Sequence, residues 1–149
     1  MTQESLLLIV AALGWYNVGT IWAHELDIFR SWRLLTPDLF PVVQAAHWRK
    51  LPYWVLFPVA LALAGSLFLV WYHPARAPQW ALNVNALCQG ASALLTGLFW
   101  ARWQAALSRD RLGPRSPYLS RILKTHWIRT GLITLGGVLL MLAVKETLA

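Results

Sequence analysis

Charge is scarce in this chain of 149 residues. Thirteen Lys and Arg and six Asp and Glu make up 13% of it, whereas 58% is hydrophobic and the mean hydropathy is +0.49. That balance excludes an ordinary soluble domain of this size and points to a membrane protein. Cysteine is almost missing: Cys88 stands alone inside a hydrophobic segment, which excludes a disulfide framework and a thiolate metal cluster. There is no Gly-rich phosphate loop, serine nucleophile elbow or paired-cysteine redox motif. The first apolar run also has no basic n-region and no small-residue cleavage pattern, and it ends in Trp22-Ala23-His24-Glu25, so it is expected to be a retained helix.

What remains is four apolar runs. A spanning helix needs roughly 20 residues, so the length allows one small bundle and no separate globular domain. The expected fold is an all-α bundle of four transmembrane helices, as a single domain over residues 1–149, with an interfacial segment between helices one and two. The first run covers about 6–23. Its polar positions Asn17, Thr20, His24 and Asp27 follow three-, four- and three-residue steps that keep them on one helical face. In lipid such a stripe must face protein or a cavity. Gly14 and Gly19 would let a neighbour approach closely.

Residues 25–50 read as a long connection broken by Pro37 and Pro41, greasy enough to lie along the membrane surface. The second run covers about 51–72, with Pro52 near its first turn and a kink expected at Pro58. A two-proline turn at 73–78 leads to the third run, about 80–107. Its polar face runs through Asn85, Gln89, Ser92 and Thr96 and is expected to continue to Trp103. A solvated basic connection at 108–124 precedes the last run, which starts near Ile122 or Thr125 and ends near Val144. Gly136 and Gly137 in its middle imply tight packing.

Eleven of the 13 Lys and Arg fall in or beside the two long connections, and only Arg76 and Lys145 lie opposite. By the positive-inside rule this puts both long loops in the cytoplasm and both termini outside. The same count explains the net charge of +7 as membrane flanks, so no nucleic-acid partner is expected.

This topology brings His24, His47 and His126 to one side at similar depth. Imidazoles from three helices suit a transition metal such as copper, iron or zinc, with an open position for oxygen or substrate. Glu25, Asp27 and Gln44 are the nearby groups that would fix the histidine tautomers. The plainer alternative is three independent interfacial histidines. Arg129, one turn from His126, must snorkel or pair with an acid, a substrate or a lipid headgroup. His126 and Arg129 are the catalytic candidates. Asn17, Thr20, Asp27, Gln89, Trp103 and Trp127 are the candidate pocket residues, with Trp22 and Trp48 as further aromatic walls. A haem held by two histidines ranks below a metal site, because the histidines lack paired mid-span placement.

At Leu123-Lys124-Thr125-His126-Trp127-Ile128-Arg129-Thr130 the chain resembles the last helix of the anthrone oxygenase-like family of small four-helix membrane proteins. The arginine-bearing stretch Trp100-Ala101-Arg102-Trp103 and the plan of four spans with two long loops on one side extend the likeness. Trp127 and Arg129 match family positions. The resemblance implies oxidation of aromatic or polyketide-like substrates with molecular oxygen. The expected function is therefore a membrane oxidoreductase or oxygenase, metal-dependent, acting on a hydrophobic aromatic or quinone-like molecule. A non-enzymatic membrane subunit, or a lipid or small-molecule binder, is the alternative. The expected partners are the lipid bilayer and a hydrophobic small molecule, and a homo-oligomer stays open.

Overall fold

The computed structural model describes all residues 1–149 and contains no strand. Four helices are long and apolar enough to cross a membrane: α1 (Gln3–Leu34), α2 (Leu39–Leu69), α3 (Gln79–Leu107) and α4 (Pro117–Leu148). The protein is a multi-pass, all-α membrane bundle. Sequential neighbours run antiparallel, α1 against α2 and α4, and α3 against α2 and α4, which closes the four into a ring.

The helices are 29 to 32 residues long, well beyond the roughly 20 needed for the hydrocarbon core. The surplus lies mainly at the end that carries the two basic connections. The surface segment expected between the first two spans is not a separate helix. It consists of the ends of α1 and α2 themselves, separated only by residues 35–38. Pro41 does not break α2 because it lies within its first turn, where backbone N–H groups have no helical acceptor to lose. Likewise α4 starts at Pro117, before the expected 122–125. The Ser116 hydroxyl accepts from the Tyr118 amide at 3.2 Å, and Pro117 occupies the first helical position.

Between α3 and α4 the chain turns at Gly113, whose φ of +49° is left-handed and whose face packs on Phe40. Asp110 helps fix this turn. Hydrogen bonds from the Ser116 side chain and the Leu112 amide hold its carboxyl below the usual carboxylate range.

The α1–α4 and α1–α2 interfaces are tight where glycine removes a side chain. A Cβ on Gly14 would stand 2.8 Å from Leu140, one on Gly65 2.5 Å from Val10, and one on Gly137 2.9 Å from Val18. Gly19 has open space around it and makes no such contact. Apolar side chains cluster at both ends of the ring. Leu7, Val10, Leu69, Leu82 and Leu140 fill the end near the termini, and Phe29, Trp32, Phe40, Trp100, Leu119 and Ile122 fill the loop end. The functional groups sit between that second cluster and the Val18–Ile21–Ile133 cluster above it.

Three helices leave α-helical geometry at this level, with π turns at His24–Ile28, Pro52–Leu56 and Thr96–Trp100. A π turn inserts an extra residue and rotates everything beyond it relative to an unbroken helix; such turns concentrate at functional sites. The kink expected at Pro58 takes this form. Pro58 has no N–H for the Trp54 carbonyl, and the Tyr16 hydroxyl of α1 donates to that oxygen at 2.9 Å instead.

Candidate active site

A cavity of about 110 Å³ lies among all four helices at the level of the π turns. Asn17, Thr20 and His24 of α1, Trp48 and Val55 of α2, Thr96, Trp100 and Gln104 of α3, and Arg129 of α4 contribute to its wall, which is otherwise apolar. Leu56 and Ala101 also line it and are themselves exposed, so its mouth opens between α2 and α3 on the outer face of the bundle. These two helices pack together over Phe57–Leu69 and Gln79–Leu95 and part beyond them. The cavity therefore communicates sideways, where lipid would lie.

His24 is buried, and its Nδ1 lies 2.7 Å from the Thr20 carbonyl oxygen. A carbonyl only accepts, so Nδ1 carries the proton, and in the neutral ring Nε2 keeps its lone pair. That Nε2 has no protein partner. The ring stacks on Trp54 at 5.4 Å and meets His47 edge-on at 5.3 Å.

Arg129 exposes 9% of its surface, makes no hydrogen bond to protein and takes part in none of the ion pairs. The only buried acid of the chain, Glu25, is already committed. One carboxylate oxygen accepts from Arg30 at 2.8 Å and the other from His126 Nδ1 at 3.0 Å. A buried cation left without compensation costs on the order of 3–5 kcal/mol. The strain falls at the wall of the cavity.

His126 stands outside the cavity. It exposes 1% of its surface, is held by Glu25, and packs edge-on against Phe29 at 4.8 Å and Trp100 at 6.1 Å. It fixes α4 to the π turn of α1 and so positions Arg129 one turn further on. It does not line the cavity, where a catalytic role was expected for it, although its Nε2 is also buried without a protein partner.

The expected three-histidine centre is not formed. No group of three His, Cys, Asp or Glu side chains has the geometry to hold a metal ion. Phe29 packs against both His24 and His126, while His47 pairs with His24 and with Trp32 at 5.2 Å. The histidines share a level of the bundle and not a point. Gln44 is buried with its Nε2 unpartnered, and of the three tautomer-fixing candidates only Glu25 bonds a histidine.

Of the expected pocket residues, Asn17 and Thr20 line the cavity. Asp27 does not: it is exposed and borders a separate open cleft with His47, Lys50 and Trp54. The π turn at His24 carries Asp27 outward and brings Glu25 and Phe29 inward. Trp103 is displaced in the same way by the π turn on α3, and Trp100 and Gln104 take the inner positions. Gln89 is buried deeper, its amide beside Gly136 and Asn85, away from the cavity. Trp127 is 62% exposed and faces outward, so of the two residues singled out by the family resemblance only Arg129 reaches the cavity. Trp22 also lies outside, its indole donating to Thr134 at 3.0 Å, while Trp48 does form part of the wall. Phe29, Trp100 and Gln104 line the cavity at positions that α-helical spacing does not place inside, and the Trp100 indole is anchored to the Thr125 hydroxyl at 2.9 Å.

No protein-family model matches the chain, and comparison with curated proteins and with solved structures gave no match.

Proposed function

We propose that the protein is a membrane-embedded oxidoreductase that oxidises a hydrophobic aromatic or hydroquinone-like substrate, with molecular oxygen as acceptor. The observation that carries this is the pairing of an unengaged imidazole nitrogen, His24 Nε2, with an unengaged guanidinium, Arg129, at the wall of one laterally open cavity. A flat apolar molecule would enter from the bilayer between α2 and α3 and lie against Trp48 and Trp100. Its ring hydroxyl would give a proton to His24 Nε2, and the positive charge of Arg129 would favour the anion formed. An ionised hydroxy-aromatic loses electrons more readily than the neutral one. Two electrons and two protons pass to oxygen, so a hydroquinone and O₂ become a quinone and hydrogen peroxide.

The three histidines do not share a coordination point, so His24 serves in this reading as a base and not as a metal ligand. With eleven of 13 Lys and Arg at the cavity's end of the bundle, that end is assigned to the cytoplasm.

Oxygen uptake by the purified protein with 1,4-naphthohydroquinone tests the proposal. Losing a positioned base slows a reaction by about 10²–10⁴-fold, so His24→Gln should lower kcat within that range. His73→Gln, in the turn at the far end, should leave it unchanged. Uptake no faster than the spontaneous rate, or equal rates for wild type and His24→Gln, would leave a non-catalytic small-molecule binder as the reading to pursue.

A further inference from the structure

The state of Arg129 before any chemistry says what the ligand must carry. Its guanidinium is permanently charged, 9% exposed and free of any protein acceptor. The one buried carboxylate of the chain, that of Glu25, is held by Arg30 and His126. The aromatic rings of the cavity do not substitute for one, since the only cation held over a ring is Arg121, on Tyr118. The remaining polar groups of the wall add no negative charge: Asn17, Thr20, Thr96 and Gln104 are neutral, and no Asp or Glu lines the cavity.

We infer that the cavity is an anion site for an apolar carboxylic acid, in which a carboxylate pairs with Arg129 while the body of the molecule lies toward the mouth between α2 and α3. This inference rests on the oxidoreductase proposal only for the aromatic nature of that body. A planar guanidinium offers two parallel N–H groups to a carboxylate, and the charge-assisted pair is strong where water is excluded. The volume of about 110 Å³ is smaller than the roughly 150 Å³ apolar cavity that accommodates benzene, so it takes the acidic head and the near edge of the first ring and leaves the rest of the molecule in the mouth. A hydroxyl beside the carboxylate would then stand to donate to His24 Nε2. The substrate class is a hydroxy-aromatic acid.

Binding calorimetry on the full chain in phosphatidylcholine nanodiscs tests this, with empty nanodiscs correcting for partition. The probes are 1-hydroxy-2-naphthoate, its amide and decanoate. Wild type is expected to bind the naphthoate at least tenfold more tightly than the amide, and more tightly than decanoate. Arg129→Gln should bring acid and amide within twofold of each other, Arg129→Lys should keep part of the preference, and Arg121→Gln at the surface should keep all of it. Equal affinity of wild type for acid and amide, or a preference that survives in Arg129→Gln, overturns the anion site. Tighter binding of decanoate overturns the aromatic class in favour of a lipid-derived acid. Should Arg129→Gln fail to fold, the wild-type comparison of acid with amide decides by itself. Acid preference without oxygen uptake ends the oxidoreductase proposal and leaves the anion site standing; naphthohydroquinone turnover without acid preference does the reverse.

Discussion

His126 and Glu25 meet across the α1–α4 interface, the ring Nδ1 donating to one carboxylate oxygen at 3.0 Å while Arg30 takes the other at 2.8 Å. The chain of three leads from a side chain 1% exposed to one 56% exposed, so the carboxylate ties the buried interior of α4 to the surface of α1. Its geometry depends on the π turn that begins at His24, since Glu25 and His24 are both buried there on adjacent positions.

Removing that carboxylate should destabilise the bundle more than altering its charge. Hydrogen bonds to charged groups contribute about 1.5–3 kcal/mol each, and Glu25→Ala leaves the His126 donor buried without a partner. Glu25→Gln can still accept from His126. In thermal or SDS unfolding of the micellar protein, Glu25→Ala should be less stable than Glu25→Gln by about 2 kcal/mol, and Asp27→Ala, on an exposed position, should match wild type. An equal loss for Glu25→Ala and Asp27→Ala would mean that the π turn does not set the inner face of α1.

The contrast between Glu25 and Asp27 also marks where the sequence stopped being legible. Four apolar runs, the antiparallel order and the inner face of α1 as far as His24 follow from hydropathy and α-helical spacing, and the structure keeps them. Spacing fails beyond His24 and Thr96 because each begins a π turn, and an inserted residue has no signature in a pattern of polar and apolar positions. Hence Asp27 and Trp103 were expected inside in place of Phe29 and Trp100. The start of α4 was legible after all, in Ser116-Pro117, a capping residue before a proline, but the basic residues that follow looked like loop. Convergence of the histidines was beyond reach, since topology fixes depth and leaves side-chain direction open.

The glycines give a graded test of packing. Adding a methyl at Gly137 would bring it 2.9 Å from Val18, and at Gly65 2.5 Å from Val10, both in helix interfaces. Overpacking of this kind costs about 1–3 kcal/mol, so Gly137→Ala and Gly65→Ala should unfold at lower temperature. Gly19 meets nothing within 4 Å, and replacing a mid-helix glycine by alanine gains roughly 0.5–1 kcal/mol. Gly19→Ala should therefore be neutral or stabilising. A uniform response of the three would contradict the interface assignment.

Elemental analysis separates the two-residue site from a three-histidine centre. With no three ligating side chains on one point, the purified protein should hold copper, iron or zinc far below one equivalent. Prolonged dialysis against EDTA should not change naphthohydroquinone turnover. Near-stoichiometric metal that disappears from both His24→Ala and His47→Ala would require the two rings, 5.3 Å apart, to reorganise into a coordination site.

The lateral mouth can be tested without touching the groups inside. Leu56 is 44% exposed and Ala101 is exposed, yet both border the cavity, so a larger side chain at either position projects into the opening and displaces no core packing. Ala101→Trp should therefore keep the melting temperature within the small change normal for surface substitutions, about 0.5 kcal/mol in stability. Its effect should fall on entry: association of 1-hydroxy-2-naphthoate slows by roughly tenfold, the lower end of what closing a binding route does to the usual spread of association rates among variants. Turnover at saturating substrate should change much less, because His24 and Arg129 keep their places. Stopped-flow tryptophan quenching measures the association rate directly, with Leu135→Trp on the outer face of α4 as the control for an added indole. Equal slowing by Leu135→Trp would place the route elsewhere. Slowing by Ala101→Trp alone means that the ligand reaches Arg129 from the bilayer, through the gap that opens where α2 and α3 both turn into π geometry.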